Sequence, residues 1–515
     1  MMPILDRARR FADTRLALVL PFAVGLYALF RGLRAFGSFN HNDHMYVAAA
    51  SMFPQFALYR EIAYVQVPLN IFLYAAIKAV AGPSLLYAGA KLASIALVFG
   101  AAALAAKTAH RLVPRSHVFW AVFVLVLFNG SIYGNMLQAG NYALPVFLFS
   151  VACFLHFNDR QTALWAVATG LAMGLAASSK VSFVTLAGAF VLLLLLDAGA
   201  RRYTLYYIAG VLIGLAPVFY YLALDPSDFI FLNFKFHLAT NEFRGLSALH
   251  SLKSVAFGCV VFAVNALPVL AVAALGTWLA GHDVRARLWS GGIPASVRLI
   301  AVKAAILFLA ASVAAVQPMI YFMNYWNAAA LVLVMFAVPA ASAIAGEGKE
   351  PAFKSRLVAG LMAVMFAAIV LDGAHLVRQI RSTYAPITIM QTQRALAATL
   401  ASALARHPAC VGDILSASGI PVVGTGVPLS TGSSGGSFLF RIAGALPAEN
   451  AAFAKYTDVG RYLGPHTGLL VGFYADSDFE RRMRDFAAGH DFRLAGTYHY
   501  PRHPLTLYLP PECAD

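Results

Sequence analysis

The sequence FNHNDHMYVAAASMFPQFALYREIAYVQVPLNIFLY occupies residues 39–74, and we take it as the stretch around which the chain is organised. It interrupts a series of apolar segments with side chains that titrate or form hydrogen bonds. These side chains are His41, Asn42, Asp43, His44, Tyr46, Arg60, Glu61, Tyr64 and Gln66. If such a cluster lies beside a bilayer, we expect it to carry the chemistry of the protein.

The composition predicts the class of protein. Of the 515 residues, 60% are apolar and only 12% are charged, and the mean hydropathy is +0.71. These values lie far outside the usual range for soluble globular proteins. The net charge of +15 would suggest a nucleic-acid partner in a soluble chain, but basic loops on one side of a membrane explain it without one. The prediction is a polytopic α-helical membrane protein with about 11 transmembrane helices.

Each transmembrane helix needs about 20 mostly apolar residues. Stretches of this kind lie near 16–36, 84–106, 117–134, 142–157, 162–179, 181–197, 203–224, 254–280, 299–317, 327–345 and 357–379. Most short basic loops between them fall on one side, which predicts a cytoplasmic N-terminus. The first span lacks a cleavage pattern and is expected to stay as an anchor. Because Ala, Arg and Gly are frequent, the predicted location is the bacterial inner (plasma) membrane, multi-pass, with a periplasmic C-terminal domain.

Two domains are expected. Residues 1–380 form the transmembrane module, with a first outer loop at about 37–83, and residues 381–515 form a small extracytoplasmic α/β domain. The second region contains glycine-rich turns, β-like runs (GLLVGFYA, LTLYLP) and helical patterns (QRALAATLASALARH, DFERRMRDFAAGH). Its Cys410 and Cys513 are permitted to form a disulfide, but sequence alone does not show that they meet.

Asp43 is the first candidate for catalysis. A carboxylate in a low-dielectric cavity tends to have a raised pKa and can act as a general base, although Asp43 is also suited to cap the helix that follows. Glu61 either binds substrate or pairs with Arg60 at the surface. His41 and His44 form a hydrogen-bonding shell or bind a divalent metal; no spacing indicates a structural zinc site, and no other cofactor is indicated.

Lysines in or beside apolar spans are costly, so they are usually functional or extend to the headgroups. Lys91 lies early in the second predicted span, and Lys180 lies at an outer turn beside several serines. Either can hold a phosphate. The later outer segments contribute further candidate substrate-binding residues, namely His237, Asn241, Arg244 and Tyr325.

The first loop, with NHNDHMYVAAA and LYREIAYVQVPLNIFLYA, resembles that of GT-C glycosyltransferases. These polyprenyl-phosphate-sugar-dependent enzymes are related to protein O-mannosyltransferases and to the aminoarabinose transferases of lipid A. Their loop has an acidic pair, a YR[DE] step and a proline-led helix, which correspond here to Asn42-Asp43, Tyr59-Arg60-Glu61 and Pro68. Asn42 replaces the first acid of the pair, and no lysine precedes the proline. The phosphate contacts are therefore expected from Arg60, Lys91, Lys180 or Arg244.

The resemblance implies a membrane glycosyltransferase that moves a hexosyl or pentosyl group from a polyprenyl-phosphate donor to an extracytoplasmic acceptor, which is a glycolipid, a polysaccharide or a protein. Asp43 would be the general base, and direct displacement would invert the anomeric centre. The implied substrate-binding residues are His41, Asn42, His44, Tyr46, Arg60, Glu61, Gln66, Lys91, Lys180, His237, Asn241, Arg244 and Tyr325. The alternative is a polytopic transporter or flippase of lipid-linked sugars, which predicts ionisable residues deep in several spans.

Overall fold

The computed structural model describes residues 25–40, 43–112, 139–243, 295–316, 373–381, 384–435, 454–473, 477–501 and 503–513, with a few single positions between them. Helices dominate, beginning with helical residues 25–37. The labelled helices are α1 (Asp43–Met52), α2 (Leu69–Ala81), α3 (Leu86–Leu112), α4 (Ala139–Arg160), α5 (Ala163–Ser179), α6 (Val184–Leu196), α7 (Thr204–Gly214), α8 (Ala216–Leu224), α9 (Pro226–Ile230), α10 (Phe236–Phe243), α11 (Ala295–Val316), α12 (Ala385–Arg406), α13 (Ala454–Thr457) and α14 (Asp478–Gly489).

A four-stranded sheet lies in the C-terminal region. Its strands are β1 (Asp413–Ser416), β2 (Thr467–Val471), β3 (Arg493–Tyr498) and β4 (Leu505–Leu509), in the spatial order β1-β2-β4-β3. β1 and β2 are parallel, and the other two pairs are antiparallel. Every residue of β2 is buried, as expected for a strand covered on both faces. Phe479 and Met483 of α14 pack with Leu469 of β2 in a small core on one face.

The turn from β2 into α14 is fixed by polar contacts. Ser477 caps the helix, since its Oγ accepts a hydrogen bond from the backbone N–H of Glu480 at 3.2 Å. The buried carboxylate of Glu480 in turn accepts from the backbone N–H groups of Gly472 at 2.8 Å and Phe473 at 3.1 Å. The backbone at Phe473 is therefore held in place by α14.

Helices α5 and α7 approach each other with almost no side chain between them. Gly170 and Gly174 of α5 face Gly210 and Gly214 of α7, and a methyl group on Gly214 would lie 2.6 Å from the carbonyl oxygen of Leu171. Only glycine permits this spacing. The pair forms part of a core built from α4, α5, α6, α7 and α11.

A second core joins residues 43–74 to the C-terminal region. Ala48 of α1 and Ile62 belong to the same buried cluster as Ile414 of β1, Ile420 and Leu507 of β4. Nearly every residue of α1 is buried, which is typical of a helix enclosed on all sides. The segment quoted above is therefore packed beneath the region that contains the sheet.

The prediction of about 11 transmembrane helices is contradicted by the structure. Within the part of the chain that the structure describes, one helical stretch, Pro83–Ala101, is long and apolar enough to cross a membrane, with 19 residues and a mean hydropathy of 1.6. The pair Arg201–Gly214 and Ala216–Leu224 qualifies only if its 53° bend is disregarded. This finding also argues against the predicted multi-pass location in a bacterial inner membrane, which we correct together with the fold class.

The physical reason is the length of the apolar stretches within the described helices. Five of the predicted spans contain apolar helical stretches of 10–17 residues or a bent pair. The span predicted at 203–224 is divided by a bend at Leu215. The short apolar stretches are Ala143–Phe154 within α4, Ala163–Ser179, Val181–Leu196 and Ala305–Ala315 within α11. The predicted spans at 117–134, 254–280 and 327–345 lie almost entirely outside the described residues, and those at 16–36 and 357–379 lie partly outside them.

A disulfide closes the C-terminal region. Cys410, just before β1, is bonded to Cys513, just after β4, with an S–S distance of 2.08 Å. The sequence analysis allowed this disulfide but did not predict whether the two cysteines meet. It ties the two ends of the sheet region together across 103 residues of chain.

Candidate functional site

Asp43 lies at the beginning of α1 and is fully buried. Its Oδ2 accepts a hydrogen bond from the backbone N–H of Asn40 at 3.3 Å, while its own N–H donates to the Asn40 carbonyl at 3.0 Å. The first of these bonds, from a backbone N–H to a carboxylate three residues later, is one half of a capping box. Asp43 therefore holds the backbone at Asn40 against the first residue of α1, and this contact leaves its carboxylate next to further polar groups.

The nearest cation is supplied by α3. Lys91 Nζ lies 3.8 Å from Asp43 Oδ2, and both side chains are buried. The same ammonium donates to the carbonyl oxygens of Ser38 and, at 3.4 Å, Phe36. Tyr87, one helical turn earlier, donates its hydroxyl to Asp43 Oδ2 at 3.3 Å, and its ring lies 4.8 Å from the ammonium. Lys91 therefore does not extend to the surface; it is held between a carboxylate, carbonyl groups and an aromatic face.

His44 is within hydrogen-bond distance of a residue of the C-terminal region, Ser418. Its imidazole nitrogens lie 3.2 and 3.3 Å from Ser418 Oγ. Its ring contacts Phe39 and Phe473, with centroids 5.2 and 4.3 Å away. Among the described residues, no group of three or more His, Cys, Asp or Glu side chains is arranged to hold a metal ion.

Tyr500 closes the same aromatic wall. Its ring centroid lies 5.5 Å from that of Phe39 and 5.9 Å from that of His44. Burial raises the pKa of Tyr500 well above its ordinary value; the neighbouring Ser418 opposes this shift, and the charge of Asp43 adds to it. The phenol therefore stays protonated and serves as a neutral neighbour of the Asp43 site.

The YRE step forms a compact turn beside this cluster. Tyr59 has a positive φ of 68° and donates its hydroxyl to the backbone carbonyl of Gln66 at 2.7 Å. Arg60 is exposed and pairs with Asp225 at 3.6 Å. Glu61 is also exposed, and its carboxylate accepts from the backbone N–H of Ala57 at 2.7 Å. The surface ion pair of Arg60 is thus made with Asp225 and not with the neighbouring Glu61.

A second polar cluster lies against residues 65–70. His237 places Nε2 2.9 Å from the Val65 carbonyl oxygen, and Ser179 donates to Asn70 Oδ1 at 2.7 Å. Burial lowers the pKa of Lys180 to about 7. Burial also lowers the pKa of His237; the charge of Lys180 contributes, and the contact with Val65 opposes the shift. The structure therefore brings Lys180 and His237 together.

The remaining candidates divide into two groups. Tyr46 is buried in α1, with its ring 6.0 Å from that of Tyr64, and Gln66 is partly exposed. Asn241 lies in α10, but its side chain is outside the described part of the structure. The candidates that fall wholly outside the described residues are His41, Asn42, Arg244 and Tyr325.

The sequence analysis missed several residues that build the site. Tyr87 lies four residues before Lys91, so the two side chains share one face of α3, and this spacing was a usable signal. Ser418, Phe473 and Tyr500 come from loops around the C-terminal sheet, some 370 or more residues from His44. No local pattern in the sequence predicts their arrival at the site.

No family model matches this sequence, and no curated protein is significantly similar to it. The likeness to the first loop of GT-C glycosyltransferases therefore rests on the quoted residues, and the function follows below as a proposal.

Proposed function

We propose that the protein is a glycosyltransferase that moves a hexosyl or pentosyl group from a polyprenyl-phosphate donor to a hydroxyl group of a glycan, lipid or protein acceptor. The observation that supports this proposal is the buried pair of Asp43 and Lys91, which lies at the first motif of the loop resemblance. It joins a proton acceptor to a cation within 3.8 Å. Transfer from a phosphate-linked sugar requires these two groups.

In the proposed reaction, the acceptor oxygen attacks C1 of the donor sugar and its proton passes to the carboxylate of Asp43. The bond between C1 and the phosphate oxygen breaks, and its electron pair leaves with the phosphate. A phosphate needs little protonation to leave, so one carboxylate is sufficient, whereas a glycosidase needs two that flank the bond. Direct displacement inverts the anomeric centre.

The phosphate requires cations to stabilise its charge. Lys91 is the first choice because its ammonium already lies beside Asp43. Lys180 is a second candidate, at the other end of the same segment; burial lowers its pKa to about 7, and a bound phosphate would favour its charged form. Phosphate binding by Arg60 stays a prediction, because its guanidinium pairs with Asp225 at the surface.

The test measures label transfer by the full-length protein, incubated with radiolabelled polyprenyl-phosphate sugars and a cell-envelope acceptor extract. Asp43→Asn removes the base and should lower the rate about 10²–10⁴-fold. Asp197→Asn is the matched control, because Asp197 also pairs with a lysine, Lys303, at 3.4 Å, and it should leave the rate unchanged. Repeating the assay with a metal chelator determines whether a divalent ion is required.

Equal transfer by the native and Asp43→Asn proteins would show that Asp43 has only a structural role at the start of α1, and it would refute the proposal. If no sugar is transferred while a labelled lipid changes leaflet, the transporter or flippase alternative replaces it. None of the contacts in the described part of the chain specifically favours that alternative, which stays a prediction.

A further inference from the structure

Large apolar side chains are exposed along three consecutive helices, α6, α7 and α8. The exposed fractions of Leu205, Ile213 and Tyr220 are 77%, 61% and 61%. The other exposed members are Val184, Leu192, Leu195, Leu196, Tyr206, Leu212, Phe219 and Leu224. We call this set the α6–α8 apolar side. Soluble monomers rarely expose contiguous apolar patches above a few hundred Å² without a partner.

One end of these helices is basic. The rings of Phe157 in α4 and Tyr203 lie 5.3 Å apart, which brings the end of α4 next to the turn before α7. Arg160, Arg201 and Arg202 are exposed there. The guanidinium of Arg202 also lies 4.8 Å from the Tyr203 ring.

The acidic residues of this end do not cancel the charge. Asp197 is paired with Lys303 at 3.4 Å, and Asp159 is adjacent to Arg160 in the sequence. Counting these two acids against Lys303 and the three arginines leaves an excess of two positive charges.

We propose that the α6–α8 apolar side docks into a lipid bilayer whose anionic headgroups contact Arg160, Arg201 and Arg202. An apolar surface with arginines and tyrosines at its edge matches the chemistry of a membrane interface, where apolar groups meet acyl chains and cations meet lipid phosphates. The charge at the basic end selects an anionic lipid surface over a neutral apolar partner. The proposal uses no residue of the Asp43 site and holds or fails independently of the proposed activity.

The experiment is flotation of the full-length protein with vesicles as detergent is removed. One vesicle set contains only phosphatidylcholine, and the other contains phosphatidylglycerol as well. The native protein should float with both and more strongly with the anionic set. Raising the salt concentration should weaken only the additional binding to the anionic set, because salt screens the arginine–headgroup attraction.

Two variants separate the apolar and charged contributions. Leu205→Ser with Ile213→Ser should lower the partition coefficient at least about tenfold on both vesicle sets. Arg201→Gln with Arg202→Gln should lower it about fivefold per arginine on the anionic set alone. Leu494→Ser in β3 is the matched control, because Leu494 is also strongly exposed but lies in the sheet region. It should float like the native protein.

The proposal is overturned if the native protein does not float with either vesicle set, or if the paired serine substitutions have no more effect than Leu494→Ser. Sedimentation analysis accompanies the flotation. A vesicle-free dimer that dissociates on Leu205→Ser and Ile213→Ser, with no flotation, would assign the surface to a second copy of the chain. Circular dichroism of each variant verifies that the helices remain intact, and a second serine pair, Leu212 and Phe219, repeats the test if the first pair unfolds.

Discussion

Removing the cation beside Asp43 should strongly destabilise the fold. In Lys91→Met, the Asp43 carboxylate stays buried but loses an ammonium 3.8 Å away. At an effective dielectric constant of about 20, that separation corresponds to an attraction of about 4 kcal/mol. Leaving one member of a buried pair without its partner typically costs about 3–5 kcal/mol. We expect a loss of that size in the free energy of unfolding.

Urea denaturation followed by circular dichroism measures the loss, and a double-mutant cycle with Asp43→Asn isolates the pair. The double variant should recover at least about 2 kcal/mol relative to the sum of the single variants, because no unpaired charge remains buried. Arg482→Met is the control: it breaks an exposed pair with Asp478 and should cost less than about 1 kcal/mol. A Lys91→Met protein as stable as this control would refute the assigned role of the buried pair.

Three further predictions follow from the packing, the titration and the disulfide. In Gly419→Ala the new methyl would lie 2.9 Å from the Cβ of Ala48, so the melting temperature should fall by the equivalent of about 1–3 kcal/mol; an unchanged value would contradict the close packing of α1. Burial lowers the pKa of Lys180 to about 7 from about 10.4 in the unfolded chain. The unfolded state therefore binds more protons between about pH 7 and pH 10, and stability should rise with pH across that window. Lys180→Met should reduce the slope, to which Lys91 also contributes because burial lowers its pKa to about 8. Replacing Cys410 and Cys513 by serine opens a link across 103 residues and should cost about 2–5 kcal/mol, measured by denaturation without reductant; equal stability of both proteins would show that the bond does not form.

Local patterns predicted several elements at their correct places. Strands β2 and β4 lie in GLLVGFYA and LTLYLP, and helix α14 lies in DFERRMRDFAAGH. The pattern QRALAATLASALARH predicted the second part of α12, which begins eight residues earlier at Ala385. Helix α2 follows Pro68, whose fixed φ suits a helix start. These elements were predictable because turn residues and side-chain periodicity act over a few neighbouring residues.

The number of membrane spans was not predictable in this way. Hydropathy records how apolar a segment is, but not whether it packs against protein or faces another medium. Helices α5 and α7 illustrate the difference, since the run of α7 ends at a bend at Leu215 and the glycines of the two helices are covered by each other. A window of about 20 apolar residues therefore counted the bent pair α7 and α8, and shorter packed helices such as α5, as spans.

The site shows a second limit of sequence analysis, because its two halves are far apart in the chain. Asp43 and Lys91 were recognisable from their positions in an apolar context, but the wall opposite them was not. Glu480 holds the backbone N–H of Phe473 at 3.1 Å, and the Phe473 ring lies 4.3 Å from the ring of His44, the immediate neighbour of Asp43. A displacement of α14 can therefore be transmitted to the residue next to Asp43 through two contacts, Glu480 with Phe473 and Phe473 with His44. Any activity centred on Asp43 should consequently depend on the C-terminal region, because that region supplies part of the enclosure that keeps the carboxylate away from water.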